Sequence, residues 1–117
     1  WGTADPGEVV TVGFRGNSVT TTTDKKGRWR VELAPVPANP EPADLVIAGA
    51  KGTVRIADVV VGEVWLCSGQ SNMEWRVKRA DNPAEEAAAA RFPLIRHFRA
   101  ERTVADTPAG TVAGGWE

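Results

Sequence analysis

Along the first sixty residues, apolar and polar positions alternate with a period of two, interrupted by turn residues at short intervals. Asp5-Pro6-Gly7 opens with a turn, and Glu8 to Phe14 then places Val10, Val12 and Phe14 on one face and Val9, Thr11 and Gly13 on the other, the signature of a half-buried strand. Gly16-Asn17 suits a two-residue hairpin, after which the β-branched run Ser18 to Thr23 predicts a second strand with a solvated threonine face. Asp24-Lys25-Lys26-Gly27 makes the next turn. Arg28 to Leu33 alternates again, with Trp29, Val31 and Leu33 inward. Trp29 lies in phase with two inward aliphatics, so it reads as a core anchor rather than a sugar-stacking platform.

Pro35, Pro37, Pro40 and Pro42 predict a surface crossover, because proline cannot donate to a strand ladder. Two short strands, Leu45 to Ala48 and Thr53 to Ile56, follow around Gly49-Ala50-Lys51-Gly52. This spacing predicts an all-β sandwich, immunoglobulin-like or jelly-roll-like, over residues 1–57, with a boundary near Asp58.

Beyond that point the pattern changes. Val64-Trp65-Leu66-Cys67 is an unbroken apolar run, which suits a strand covered on both faces in a parallel sheet. Trp65 and Cys67 are accordingly expected in the core. The run ends in the polar elbow Ser68-Gly69-Gln70-Ser71-Asn72. Asn82 then stands at a cap position, Pro83 at the first helical position and Glu85 three after the cap, ahead of an alanine-rich stretch. Pro93 marks the stop, and Leu94 to Ala100 reads as the next strand. Strand, helix, strand predicts a parallel β-α-β unit, the first part of a doubly wound sheet over 58–117. Thr103 to Glu117, rich in Gly, Thr, Ala and Pro, reads as a connecting loop.

At the end of a buried strand, Gly69 lets the chain turn and Ser71 is lifted above the carboxyl edge of the sheet, where reactive groups gather in open α/β folds. A serine hydroxyl becomes a nucleophile only with a base and with donors for the developing oxyanion; the Ser71 N–H is one such donor. A bare Gly-x-Ser arises by chance in roughly half of all chains this long. Met73 also stands where the α/β-hydrolase elbow Gly-x-Ser-x-Gly has its second glycine, which argues against that fold.

The whole segment Gly62-Glu63-Val64-Trp65-Leu66-Cys67-Ser68-Gly69-Gln70-Ser71-Asn72-Met73-Glu74-Trp75, however, closely resembles the nucleophile segment of sialate O-acetylesterases, which are similar to the wider GDSL-type (SGNH) hydrolases. A looser likeness extends through Pro6-Gly7, Asp24, Gly27-Arg28-Trp29 and Ile56-Ala57-Asp58-Val59. The resemblance implies a small β-sandwich followed by the start of a three-layer α/β/α domain, with Ser71 as nucleophile and Gly69, Gln70 and Asn72 shaping its elbow. It implies an acetylated sugar substrate, O-acetylated sialic acid first and acetylated xylan as the alternative, with no metal or organic cofactor, and a periplasmic or extracellular setting. Trp75, beside the elbow, is a candidate for the substrate pocket, with a core position as the alternative. The family takes its base from an Asp-x-x-His motif. Leu94 stands three before His97, the one histidine, so His97 reads as a structural strand residue, with base, orienter and further oxyanion donors expected downstream of residue 117. Glu74 and Asp81, the nearest carboxylates, read as solvated or capping groups.

Length and charge narrow the alternatives. At 117 residues with 42% hydrophobic content, the chain can bury roughly two-thirds of its surface, enough for one domain but not two complete ones. With the family's base and further oxyanion donors expected downstream, the chain reads as a fragment cut at both ends, from the N-terminal part of a larger enzyme and inactive alone. A net charge of -1 with interspersed acids and bases argues against nucleic acid. No apolar run approaches the ~18 residues of a membrane span. The contrasting possibility is a non-catalytic β-sandwich that binds carbohydrate or protein, which accounts for residues 1–57 but not for the elbow.

Overall fold

The computed structural model describes all 117 residues, which divide into two compact units, Trp1–Trp65 and Leu66–Glu117. The first contains β1 (Gly2–Thr3), β2 (Val9–Phe14), β3 (Asn17–Thr22), β4 (Arg28–Trp29), β5 (Asn39–Gly49) and β6 (Gly52–Val61). Strands β3-β2-β5-β6 form one antiparallel sheet, and β1 pairs with β4 in a separate two-stranded ribbon. The first unit is thus all-β, with one four-stranded sheet and one small ribbon.

The alternation in β2 has the expected consequence. Val10, Val12 and Phe14 are buried, and Trp29 from the ribbon packs with Val10 and Val12, flanked by Ala4, Val31, Leu33, Leu45 and Ile47. Gly2 lies so close over the Trp29 indole that a Cβ there would fall 2.6 Å from a ring carbon. Cross-strand pairs such as Val12 with Ile47 set the register, and the Thr11 and Thr20 hydroxyls hydrogen-bond at 2.9 Å on the opposite face.

The β2–β3 turn falls one residue earlier than expected. Phe14 pairs with Asn17, so the loop residues are Arg15 and Gly16, with φ of 46° and 79°. Both are positive, as a hairpin turn matching strand twist requires. The strand expected over residues 28–33 contracts to Arg28–Trp29, because β1 offers only Gly2 and Thr3 as ladder partners. Val31 and Leu33 still face the core. Conversely, β5 begins at Asn39 and runs through Pro40 and Pro42, which had been expected in a crossover. Its pairing with β6 is irregular between Asn39 and Leu45, as befits residues that cannot complete a ladder. β6 continues past Asp58, where the expected boundary lay, to Val61.

The Asp24 turn joins the ribbon to the sheet. Asp24 accepts hydrogen bonds from the backbone N–H groups of Lys26 (2.8 Å) and Arg28 (2.9 Å), and pairs with the Arg28 guanidinium. Gly27, at φ 72°, brings its Cα so near the Ala4 carbonyl that a Cβ would be 2.3 Å from the oxygen. The backbone N–H of Arg28, then its side chain, hold the Asp24 carboxyl below its ordinary value of 3.8. For a depressed carboxyl, the stabilisation is present above the unfolded value and is lost as pH falls through the folded one. Asp24→Asn is therefore expected to flatten the acid limb of the unfolding curve below about pH 4, followed by near-UV circular dichroism of the tryptophans; an unchanged acid limb would refute this role.

The second unit contains two 3₁₀ turns, Ser71–Glu74 and Val77–Arg79, helix α1 (Pro83–Ala89), β7 (Phe98–Ala100) and β8 (Gly114–Trp116). Helix α1 starts where expected, with Pro83 at its head and Glu85 and Glu86 in the first turn. Asn82, however, makes no side-chain cap; it takes a left-handed conformation (φ 50°, ψ 48°), which asparagine tolerates better than most residues. The parallel β-α-β unit is not formed. Val64–Cys67 is not a strand, and β7 pairs antiparallel with β8, inside the segment expected to be loop. Phe98 and Trp116 meet edge to face at 5.3 Å across that ribbon, and Gly114 leaves room for the Phe98 ring.

The absence of a ladder explains the fate of the apolar run. An extended segment without neighbours has nothing to bond its backbone groups except water. Val64, Trp65 and Leu66 are accordingly 97%, 80% and 94% exposed, and Cys67 is an exposed free thiol. The core positions expected for Trp65 and Cys67 are thus corrected.

Candidate active site

The elbow is built by a glycine and a single 3₁₀ turn. Gly69 has φ 158°, and a Cβ at that position would lie 2.8 Å from Cγ of Met73, so the glycine lets the following turn fold back over the chain. Gln70 is extended (φ -108°, ψ -152°) and Ser71 begins the turn. The Met73 N–H donates to the Gln70 carbonyl at 2.9 Å, and the Trp75 N–H to the Asn72 carbonyl at 3.2 Å. At the start of such a turn the leading N–H groups have no acceptor within it. The amides of Ser71 and Asn72 are therefore free to serve an incoming anion or water. Ser71 itself is exposed.

Of the residues singled out in the sequence, Ser71 and Asn72 lie in this turn, Gln70 caps its start with Gly69 just before it, and Trp75 caps its end, largely exposed. Glu74 is in the same turn and is ion-paired with Arg102, an interaction for which residues so far apart in sequence carry no signal. Asp81 lies outside both 3₁₀ turns and is exposed.

His97 sits just before β7 rather than inside a strand. Its Nδ1 lies 3.6 Å from Glu117 Oε2, and its carbonyl accepts the Glu117 N–H at 2.8 Å. Arg99 approaches the same carboxylate at 3.8 Å. Histidine and arginine thus share one acid on the β7–β8 ribbon, an arrangement that ties the ribbon's ends. The elbow itself offers an exposed hydroxyl, two free amides and a neighbouring indole. A serine hydroxyl in such a place needs a base and oxyanion donors before it can act as a nucleophile.

No family model matches the chain. Among curated proteins it is 35% identical to the sialate O-acetylesterase of Mus musculus over 84% of its own length, and 32% identical to that of Homo sapiens over 93%. It covers 20% and 24% of those two proteins, so the chain spans about a fifth to a quarter of the relatives it matches. Among solved structures, a carbohydrate acetylesterase from Xanthomonas citri matches all of this chain with a TM-score of 0.91 at 33% identity, over 27% of its own chain. Each of these proteins is named as an acetylesterase. The chain belongs to a sialate O-acetylesterase-like family over the section that it spans.

Proposed function

We propose that, in a protein of the length of its relatives, this chain carries the nucleophile of a carbohydrate O-acetyl esterase, acting first on O-acetylated sialic acid. The observation that carries the reading is the exposed Ser71 hydroxyl on a turn whose leading amides are unbonded, directly after Gly69. Ser71 Oγ bonds to the acetyl carbonyl carbon while a histidine outside these residues takes its proton. The bond from that carbon to the sugar oxygen then breaks, and the sugar leaves with the proton. Water, deprotonated by the same histidine, hydrolyses the acyl-serine and releases acetate. An aspartate partner keeps the imidazole in the right tautomer.

The Ser71 N–H, with donors from outside this chain, holds the oxyanion. Gln70 and Asn72 fix the elbow on either side of the nucleophile. Trp75 supplies an apolar wall for the sugar. In the same reading, Val64–Cys67 becomes a central strand of an α/β/α domain over the residues that follow β6, once neighbouring strands provide its ladder. Its full exposure in this chain supports that assignment, since four successive apolar side chains have no reason to face water in a finished fold. The mechanism calls for no metal or organic cofactor.

A serine-directed fluorophosphonate tests the nucleophile. In the full-length protein, peptide mapping is expected to find the label on Ser71, and pre-incubation with an acetylated sugar should slow its attachment. A label on another serine would overturn the assignment.

A further inference from the structure

The first unit contains a cleft of about 590 Å³ between the N-terminal segment, the ribbon and the β5–β6 turn, within the size range of small-ligand sites. Its floor is apolar, from Val10 and Trp29. Trp1 forms a wall, with its indole 82% exposed. The polar groups are held rather than loose. Glu8 accepts the backbone N–H groups of Asp5 (3.0 Å) and Ala50 (2.7 Å), one on each carboxylate oxygen, so it ties the N-terminal turn to the β5–β6 hairpin. A Cβ on Gly49 would lie 2.6 Å from the Glu8 carboxylate, so the glycine is what lets Glu8 seat there. Lys51 reaches across to Asp5 at 2.7 Å.

We propose that this cleft binds a neutral pyranose ring, with the sugar's C–H face on the Trp1 indole and two adjacent hydroxyls bridging Asp5 and Lys51. The chemistry selects the class. An exposed indole over an apolar floor offers a flat surface to the aliphatic face of a ring, while a carboxylate beside an ammonium accepts one hydroxyl proton and donates to the next oxygen. An anionic ligand is disfavoured because the lysine is already neutralised by Asp5, with the Glu8 carboxylate in the same cleft. A purely apolar ligand would strip water from that ion pair without replacing its hydrogen bonds. All of these residues belong to the first unit, so the inference does not depend on Ser71.

The test titrates the 117-residue chain with methyl β-galactopyranoside, following backbone amide shifts by NMR. Saturable shifts are expected at Asp5, Ala50, Lys51 and Thr53, with a dissociation constant in the millimolar range. Trp1→Ala and Lys51→Met, both at exposed side chains, should each weaken binding by about tenfold or more, the loss of roughly one good contact, while unchanged amide shifts at Val10 and Val12, in the core around Trp29, show that the fold persists. Flat titrations, an affinity that survives Trp1→Ala, or equally tight binding of N-acetylneuraminic acid would each overturn the proposal.

Discussion

Ser71→Ala in the full-length protein is expected to lower kcat for sugar deacetylation by roughly 10⁶-fold, the loss seen when a serine nucleophile is removed from a triad that acts as a unit. KM should change little, because the hydroxyl earns its effect in forming the bond to the acetyl carbon and not in holding the sugar. The residual rate reflects oxyanion donors and binding alone. Steady-state kinetics on an acetylated sialic acid, with acetate release as the readout, decide the matter: a variant that keeps more than about a tenth of the parent rate would exclude Ser71 as nucleophile. The 117-residue chain is expected to show no turnover under the same assay. Ser71 has no hydrogen-bonded base, and the histidine of this chain lies beside Glu117. In the proposed mechanism each oxyanion donor is worth a further ~10²–10³ in rate.

What could be read from the sequence follows from how far away each element's partners lie. Val10, Val12 and Phe14 revealed their face because β2 pairs with β3 through a two-residue turn and with β5 within the same unit. The pattern and the partners are both present. Val64–Cys67 carries an equally strong apolar pattern, yet no strand lies beside it, so periodicity predicted a state that the backbone hydrogen bonds of this chain cannot complete. Trp65 and Cys67 consequently lie in water rather than in a core. Proline misled in the opposite direction. Pro40 and Pro42 are accommodated in the irregularly paired part of β5, beyond the residues that β2 contacts.

The elbow was legible because it is local. Gly69, with its positive φ and its close approach to Met73, and the turn that starts at Ser71 lie within five residues of sequence. The pairings of Glu74 with Arg102, His97 with Glu117, and Asp5 with Lys51 join residues far apart, and no spacing rule announces them. The cleft beside Trp1 was illegible for the same reason, since it is assembled from the chain's start and the β5–β6 turn.

In the 117-residue chain, Trp29→Ala should unfold the first unit, whereas Trp65→Ala should leave its stability within about 0.5 kcal/mol. The sequence suggested a core role for both indoles; burial separates them. Trp29 is 9% exposed and fills the space between Val10, Val12 and the ribbon, while Trp65 is 80% exposed. Removing a buried tryptophan costs about 3–5 kcal/mol, from lost transfer energy and the cavity left behind. A unit of this size (Trp1–Trp65) has roughly 3–10 kcal/mol of stability in total. The cluster of buried residues around Trp29 is also small, so no second layer of side chains can close the gap. Urea titration followed by far-UV circular dichroism is expected to show the Trp29→Ala transition shifted to a much lower midpoint or already complete without denaturant. Equal midpoints for the two variants would mean that the ribbon's contact with β2 does not hold the sheet together.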